Sequence, residues 1–239
     1  MNKEKILGID CLACTYDELR NHVDEDIKNN KKSLIIAINP EKIMKARKDD
    51  KLKDILNNAT YQIPDGIGVI IASKIRGGEI RNRITGIDSM EMLLSLASEK
   101  NYKVFMYGAK EETIKAAKAK IIEKYKNINI VGTINGYEKD NNKIIEKIKK
   151  SKADILFVAL GSPKQEEWIY ANIDKVDVKI FQGVGGSFDV ISGNIKRAPK
   201  WMQKIGLEWF YRLLKEPKRI FRQLKLFKFL FVALFSRKK

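Results

Sequence analysis

The stretch Ile63-Pro64-Asp65-Gly66-Ile67-Gly68 decides how the chain is read. A run with the look of a buried strand, Ala59-Thr60-Tyr61-Gln62-Ile63, ends there in a proline, a lone carboxylate and two glycines. Asp65 therefore falls at a strand-to-helix turn. In open α/β sheets ligands collect beyond the carboxyl ends of the strands, and glycine lets the backbone approach them closely. This makes Asp65 the candidate general base. The competing reading is that Asp65 caps the helix opening at Gly66, a role worth about 1 kcal/mol.

Outward from that turn, short β-branched runs alternate with amphipathic helical segments from the N-terminus to about residue 190. The pattern predicts an α/β fold, Rossmann-like, with a mainly parallel sheet and helices on both faces. The expected strands are Lys5–Ile9, Ser33–Ile38, Ala59–Ile63, Lys103–Tyr107, Ile128–Thr133, Ile155–Ala159 and Lys179–Gln182; Lys110–Tyr125 and Asn141–Ser151 carry helical spacing. Unusual residues gather in the loops after the strands: Asn39-Pro40-Glu41, Asp65-Gly66, Gly108-Ala109, Gly136-Tyr137, Gly161 to Glu166 and Gly183 to Asp189. Such an edge suits a phosphate-bearing nucleotide. Gly183-Val184-Gly185-Gly186 is not the G-x-G-x-x-G of a dinucleotide fold and comes late in the chain, which demotes a nicotinamide oxidoreductase.

The 239 residues are 44% hydrophobic with five prolines, enough for one substantial core. Charge is uneven. From Lys196 onward fourteen Lys and Arg face only Glu208 and Glu216, so the last 44 residues hold +12 of the formal +17. We therefore divide the chain into an α/β domain, 1–195, and a basic amphipathic appendage, 196–239, suited to an anionic partner. The apolar run at Ile6-Leu7-Gly8-Ile9 is too short for a signal peptide and no stretch reaches the length of a membrane span, so a cytoplasmic protein is expected. Cys11 and Cys14 make a C-x-x-C, but without a second pair and with His22 the sole histidine they read as packing residues before a helix with a capping box, Thr15 and Glu18.

Six motifs occur in order: Asn39-x-Glu41; Asp65-Gly66-x-Gly68; Arg83-Ile84-Thr85-Gly86-Ile87-Asp88; Gly161-x-Pro163-x-Gln165-Glu166; Gly183-Val184-Gly185-Gly186-x-Phe188-Asp189; and Arg197-Ala198-Pro199 followed by Gly206-Leu207-Glu208-Trp209 and Arg212. Together they resemble the WecG/TagA/CpsF glycosyltransferase family, most closely its TagA branch, over nearly the whole chain. The resemblance implies an inverting transferase passing N-acetylmannosamine from a UDP-sugar donor to the 4-hydroxyl of N-acetylglucosamine on undecaprenyl diphosphate, in wall teichoic acid synthesis. Ala37 stands where the family often has threonine. A relative transferring glucose or N-acetylmannosaminuronic acid is the nearest rival, and a non-catalytic membrane-docking module is a further one.

The resemblance implies Asp65 as the base. Arg83 would offset phosphate charge, its competing role being a surface ion pair; Asn39 and Gln165 suit sugar hydroxyls or loop backbone; Tyr137, Gly185, Gly186 and Asp189 are expected at the nucleotide. No cofactor and no metal is expected: the one D-x-D triplet, Asp24-Glu25-Asp26, lies in a predicted amphipathic helix, where charges form the solvated face. Cationic side chains must then offset the diphosphate. In the tail, Leu213, Ile220, Phe221, Leu224, Phe227, Phe231 and Leu234 recur at helical steps beside basic residues, with a break or kink at Pro217. That pattern suits a bilayer interface, the bland occupant being the domain itself or an oligomer partner. Arg212, Arg219 and Arg222, at i, i+7 and i+10, are expected to fold over the crevice and bind a lipid or nucleotide diphosphate. Nucleic acid is not expected as a partner.

Overall fold

The computed structural model describes residues 1–215 and 220–235, except for the side chains of residue 212 and residues 220–225. The chain opens on an antiparallel hairpin, β1 (Asn2–Ile6) and β2 (Ile9–Ala13), not on one strand across Lys5–Ile9. Leu7 and Gly8 both take left-handed backbone, with φ of 51° and 86°, which suits a two-residue hairpin turn and turns Ile9 back opposite Ile6.

Six parallel strands and their helices follow. They are α1 (Tyr16–Lys28), β3 (Ser33–Ile38), α2 (Pro40–Ala46), α3 (Asp50–Asn57), β4 (Tyr61–Pro64), α4 (Ile67–Ile75), α5 (Gly86–Lys100), β5 (Lys103–Gly108) and α6 (Glu111–Lys124). Beyond them lie β6 (Asn129–Ile134), α7 (Asn141–Ser151), β7 (Ile155–Ala159), α8 (Lys164–Asn172), β8 (Ile180–Gly183), α9 (Ser187–Ile191), α10 (Lys200–Lys204), α11 (Glu208–Lys215) and α12 (Ile220–Phe235). The sheet order is β4-β3-β8-β7-β5-β6, so β3 and β8, far apart in sequence, lie side by side. A strand buried on both faces must be largely apolar, and β3 is so from Leu34 on: Leu34, Ile36 and Ile38 feed one core layer, Ile35 and Ala37 the other. The first layer packs under α2, α3, α4, α7 and α8, the second under α1, α5, α6 and α9.

Local signals set the helix ends. Thr15 and Glu18 form the expected capping box of α1. The Asp24-Glu25-Asp26 triplet does lie in α1, but the solvated-face reading fails for Asp26: it is buried and accepts from the hydroxyls of Ser33 (2.6 Å) and Tyr61, with Lys31 Nζ at 3.0 Å. Asp24 is held by Lys28 and Tyr102. Both aspartates of the triplet are thus engaged in joining elements.

The C-terminal helix lies along α2 and α4. Phe229 and Ala233 are completely buried in the first core layer, with Leu226 and Leu230 packed beside them. Gly68 shows why that is possible, since a Cβ there would sit 2.6 Å from Leu226 Cδ1 and 2.7 Å from Pro40 Cγ. Its missing side chain makes room for α12, not for a ligand as the sequence suggests.

Candidate active site

The carboxyl ends of β3 and β4 bring Asn39 and Asp65 together. Gly66 takes φ +97°, a conformation L side chains avoid, and its open Cβ position is 3.5 Å from Pro40 Cδ and 3.8 Å from Asn39 Cβ. The Asp65 N–H donates to Ile38 O at 2.8 Å, which fixes the turn on β3. Gly66, not Asp65, is the N-cap of α4, and no side chain caps that helix. The half-buried Asp65 carboxylate is therefore not a helix cap. Asn39 does cap: its Oδ1 accepts from the Lys42 N–H at 2.9 Å.

Asp65 has a neighbour that the sequence did not single out. Tyr16 accepts from the Thr85 N–H at 3.0 Å; burial, then the Asp88 carboxylate and, more weakly, Asp65 push its phenol up to about 12. Asp65 and Asp88 thus both act electrostatically on one neutral hydroxyl.

Asp88 belongs to a chain of charges that joins two of the motifs. Arg197 grips it through both terminal nitrogens, Nη2 to Oδ2 at 2.8 Å, and passes Nε to Glu208 Oε1 at 3.1 Å; Glu208 Oε2 takes Arg83 Nη2 at 2.8 Å. Thr85 Oγ1 donates to Asp88 at 2.6 Å. Burial raises the Asp88 carboxyl, but Arg197, Thr85 and Arg83 outweigh it, so it ends below the usual carboxylate range. Arg83 is accordingly a half-buried ion-pair member, donating also to Gln203 O, while its Nε has no partner among the described residues.

The loop after β8 is organised by Gln165. This side chain is 3% exposed and lies over Gly183, where a Cβ would come within 2.6 Å of Nε2. Its Oε1 accepts from the Gly185 N–H at 2.9 Å and its Nε2 donates to Glu166 Oε1 at 3.0 Å. Glu166 is paired with Lys42 at 2.7 Å, and Lys42 also donates to Ala37 O at 2.9 Å. Asp189 occupies the first turn of α9, whose N-cap is Gly186 without a side-chain bond, so Asp189 is not the cap. Ala37 is buried with its Cβ 3.3 Å from where a Cβ on Gly86 would lie.

Other expected residues stand apart. Tyr137, 68% exposed, follows β6 at the opposite edge of the sheet from β4, about 24 Å away by strand spacing. Arg219 lies outside the described residues, as do the side chains of Arg212 and Arg222. A cavity of about 540 Å³ opens between α5, α6 and α9 and is lined by residues that include Ile87, Leu94, Ile121 and Arg197; neither Asp65 nor Gln165 lines it.

The sequence analysis passed over Tyr16 and Lys42 and gave no role to Glu166 and Glu208, although these two stand inside its motifs. Lys42 left a signal of another kind: a lysine in the first turn of a helix opposes the helix dipole, which asks for a nearby carboxylate.

A parallel sheet whose carboxyl edge collects a carboxylate that caps no helix, a glycine turn and ion-paired arginines defines an α/β protein whose strand ends form the edge at which such folds bind ligands. Residues 4–239 match the model of the Glycosyl transferase WecG/TagA/CpsF family, and the chain belongs to that family. It is 39% identical over 224 residues to the N-acetylglucosaminyldiphosphoundecaprenol N-acetyl-beta-D-mannosaminyltransferase of Bacillus subtilis (strain 168), covering 93% of this chain and 86% of the relative. The Bacillus spizizenii (strain ATCC 23059 / NRRL B-14472 / W23) protein of the same name is 38% identical over 235 residues, 98% of this chain and 91% of its own length.

Proposed function

We propose that the protein transfers N-acetylmannosamine from UDP to the 4-hydroxyl of N-acetylglucosamine on a lipid diphosphate, with inversion, as an early step toward wall teichoic acid. The printed activity of both Bacillus relatives supports the donor sugar and the acceptor. The observation that carries the chemistry is Asp65, anchored by its own N–H at the end of β4 beside Asn39 and excused from capping α4. Its carboxylate takes the acceptor hydroxyl proton, the freed oxygen bonds to the anomeric carbon, and the bond from that carbon to the UDP oxygen breaks, releasing UDP. The Gly185–Gly186 turn with Asp189 receives the nucleotide.

The lipid acceptor calls for a membrane surface, and α12 offers one. Opposite its buried side it exposes Phe227, Phe231, Leu234 and Phe235, each more than half accessible, and no described helix is long and apolar enough to cross a membrane. Docking at the inner face of the cell membrane would bring Arg212, Arg219 and Arg222 to the lipid diphosphate.

Turnover with UDP-N-acetylmannosamine, UDP-glucose and UDP-N-acetylmannosaminuronic acid on a short-chain acceptor tests the reading. Asp65→Ala is expected to lose at least about a hundredfold in kcat. Preference for another sugar would reassign the donor, and unaltered turnover of Asp65→Ala would remove the base.

A further inference from the structure

Lys42 and Glu166 form a charged pair sealed from water, 7% and 1% exposed by side chain, between the first turn of α2, capped by Asn39, and the first turn of α8, which carries Gln165. Such a pair is a poor way to gain stability, because desolvating both ions costs as much as their attraction returns. This one is also incomplete: Glu166 Oε2 has no hydrogen-bond donor among the described residues.

What the pair does fix is an orientation. A carboxylate can only accept, so the side-chain amide of Gln165 must turn Nε2 toward Glu166, leaving Oε1 as acceptor for Gly185 N–H. Lys42 in turn holds Glu166 in place through Oε1 while anchored to Ala37 O on β3. Gly183 leaves the space Gln165 needs, and Gly185 sits at φ +51° with its N–H held by that Gln165 bond, while the Val184 N–H is held by Val158 O of β7 at 2.9 Å. A path of polar contacts therefore runs from β3 through Lys42, Glu166 and Gln165 into the glycine turn.

We infer that Lys42 and Glu166 are positioning residues for the transfer: their buried pair selects the Gln165 rotamer and amide face that shape the Gly183–Gly186 turn for the donor nucleotide. The inference rests on the transferase reading above. Neither residue touches substrate, and Gln165 acts on the turn, not on a sugar hydroxyl.

The test compares Lys42→Met, Glu166→Gln and the double variant for thermal midpoint, UDP affinity by calorimetry, and KM for donor and acceptor. Each single variant is expected to lose stability; the double, with no buried charge left unpaired, regains it. UDP affinity is expected to stay at least about tenfold weaker in the double, with the donor KM raised and the acceptor KM unchanged, since a charge-assisted bond orienting Gln165 is gone. A double variant that regains both midpoint and UDP affinity would make the pair purely structural and overturn the inference. Amide hydrogen exchange needs only folded Glu166→Gln: residues 183–187 are expected to exchange at least about tenfold faster with β7 and β8 still protected, and unchanged exchange would also overturn it. Wild type that binds no UDP would remove the transferase reading together with the inference, whereas wild type that binds UDP no better than the double variant would remove the inference alone.

Discussion

Two groups of ion pairs flank the crevice, and they differ in access to water. Lys42 and Glu166 are sealed in, whereas Asp88 in the Arg83–Glu208–Arg197–Asp88 chain keeps about a third of its side chain exposed, at 35%, and both arginines remain in part accessible. A sealed pair is expensive to break and specifies one arrangement; a half-wet chain is cheaper to break and can hold a segment in place without committing it. The first group joins the first turns of α2 and α8 at the sheet edge. The second fastens α10 and α11, and through them the route to α12, onto the start of α5.

The sharpest way to break this comparison is to remove one charge from each group. Lys42→Met leaves Glu166 buried without its cation and is expected to cost about 3–5 kcal/mol in urea unfolding. Arg197→Ala leaves Glu208 still paired with Arg83 and lets water reach Asp88, so about 1–3 kcal/mol is expected, together with faster proteolysis across 196–215. Equal losses would mean that the two groups do not differ in kind.

Acid sharpens the same contrast within the carboxylates. At Asp26 burial raises the carboxyl, but bonds from Ser33, Tyr61 and Lys31 outweigh it, and at Asp88 Arg197 leads the groups that do so; both end below their usual value. As pH falls past about 4 the unfolded chain takes up these protons first. Their contribution is therefore present above that pH and lost as pH drops through the lower folded values. Urea midpoints between pH 6 and pH 3 are expected to fall, and Asp26→Asn is expected to flatten that fall while lowering stability at pH 6.

How much of this was legible in the sequence depends on the range over which the cause acts. β3 and β7 were readable to the residue, because a strand buried on both faces has to be largely apolar. Asp65 was readable because proline and glycine mark its turn locally. Lys5–Ile9 misled, since the turn at Leu7-Gly8 depends on Leu7 taking a backbone conformation that leucine rarely adopts. Asp26 misled for another reason: its partners Ser33 and Tyr61 come from the two strands that follow, and helical periodicity carries no word of them. The motif 83–88 was visible, yet its charge partners are 109 to 125 residues away, so Arg83 looked free for phosphate when the fold gives it Glu208.

The smallest expected effect concerns Cys11 and Cys14, where sequence spacing and burial point in opposite directions. A redox C-x-x-C needs a thiolate near neutral pH, and low thiol pKa values come from helix N-termini or neighbouring cations. Here both thiols are free and buried in the packing around β2. Burial, with Glu18 adding to it, pushes Cys14 up to about 11, and burial together with Glu4 and Cys14 drives Cys11 higher still. At pH 8 Cys14 is then about one part in a thousand thiolate, so labelling by a disulfide reagent is expected to run at least about a hundredfold slower than for free cysteine. The two sulfurs also serve opposite core layers, Cys11 on one side of the hairpin and Cys14 on the other, so they share no cleft that a substrate disulfide could enter. Cys14→Ala should accordingly leave transfer within about twofold of wild type while costing about 1 kcal/mol or less of stability; rapid labelling, or loss of transfer in that variant, would return the pair to the list of working groups.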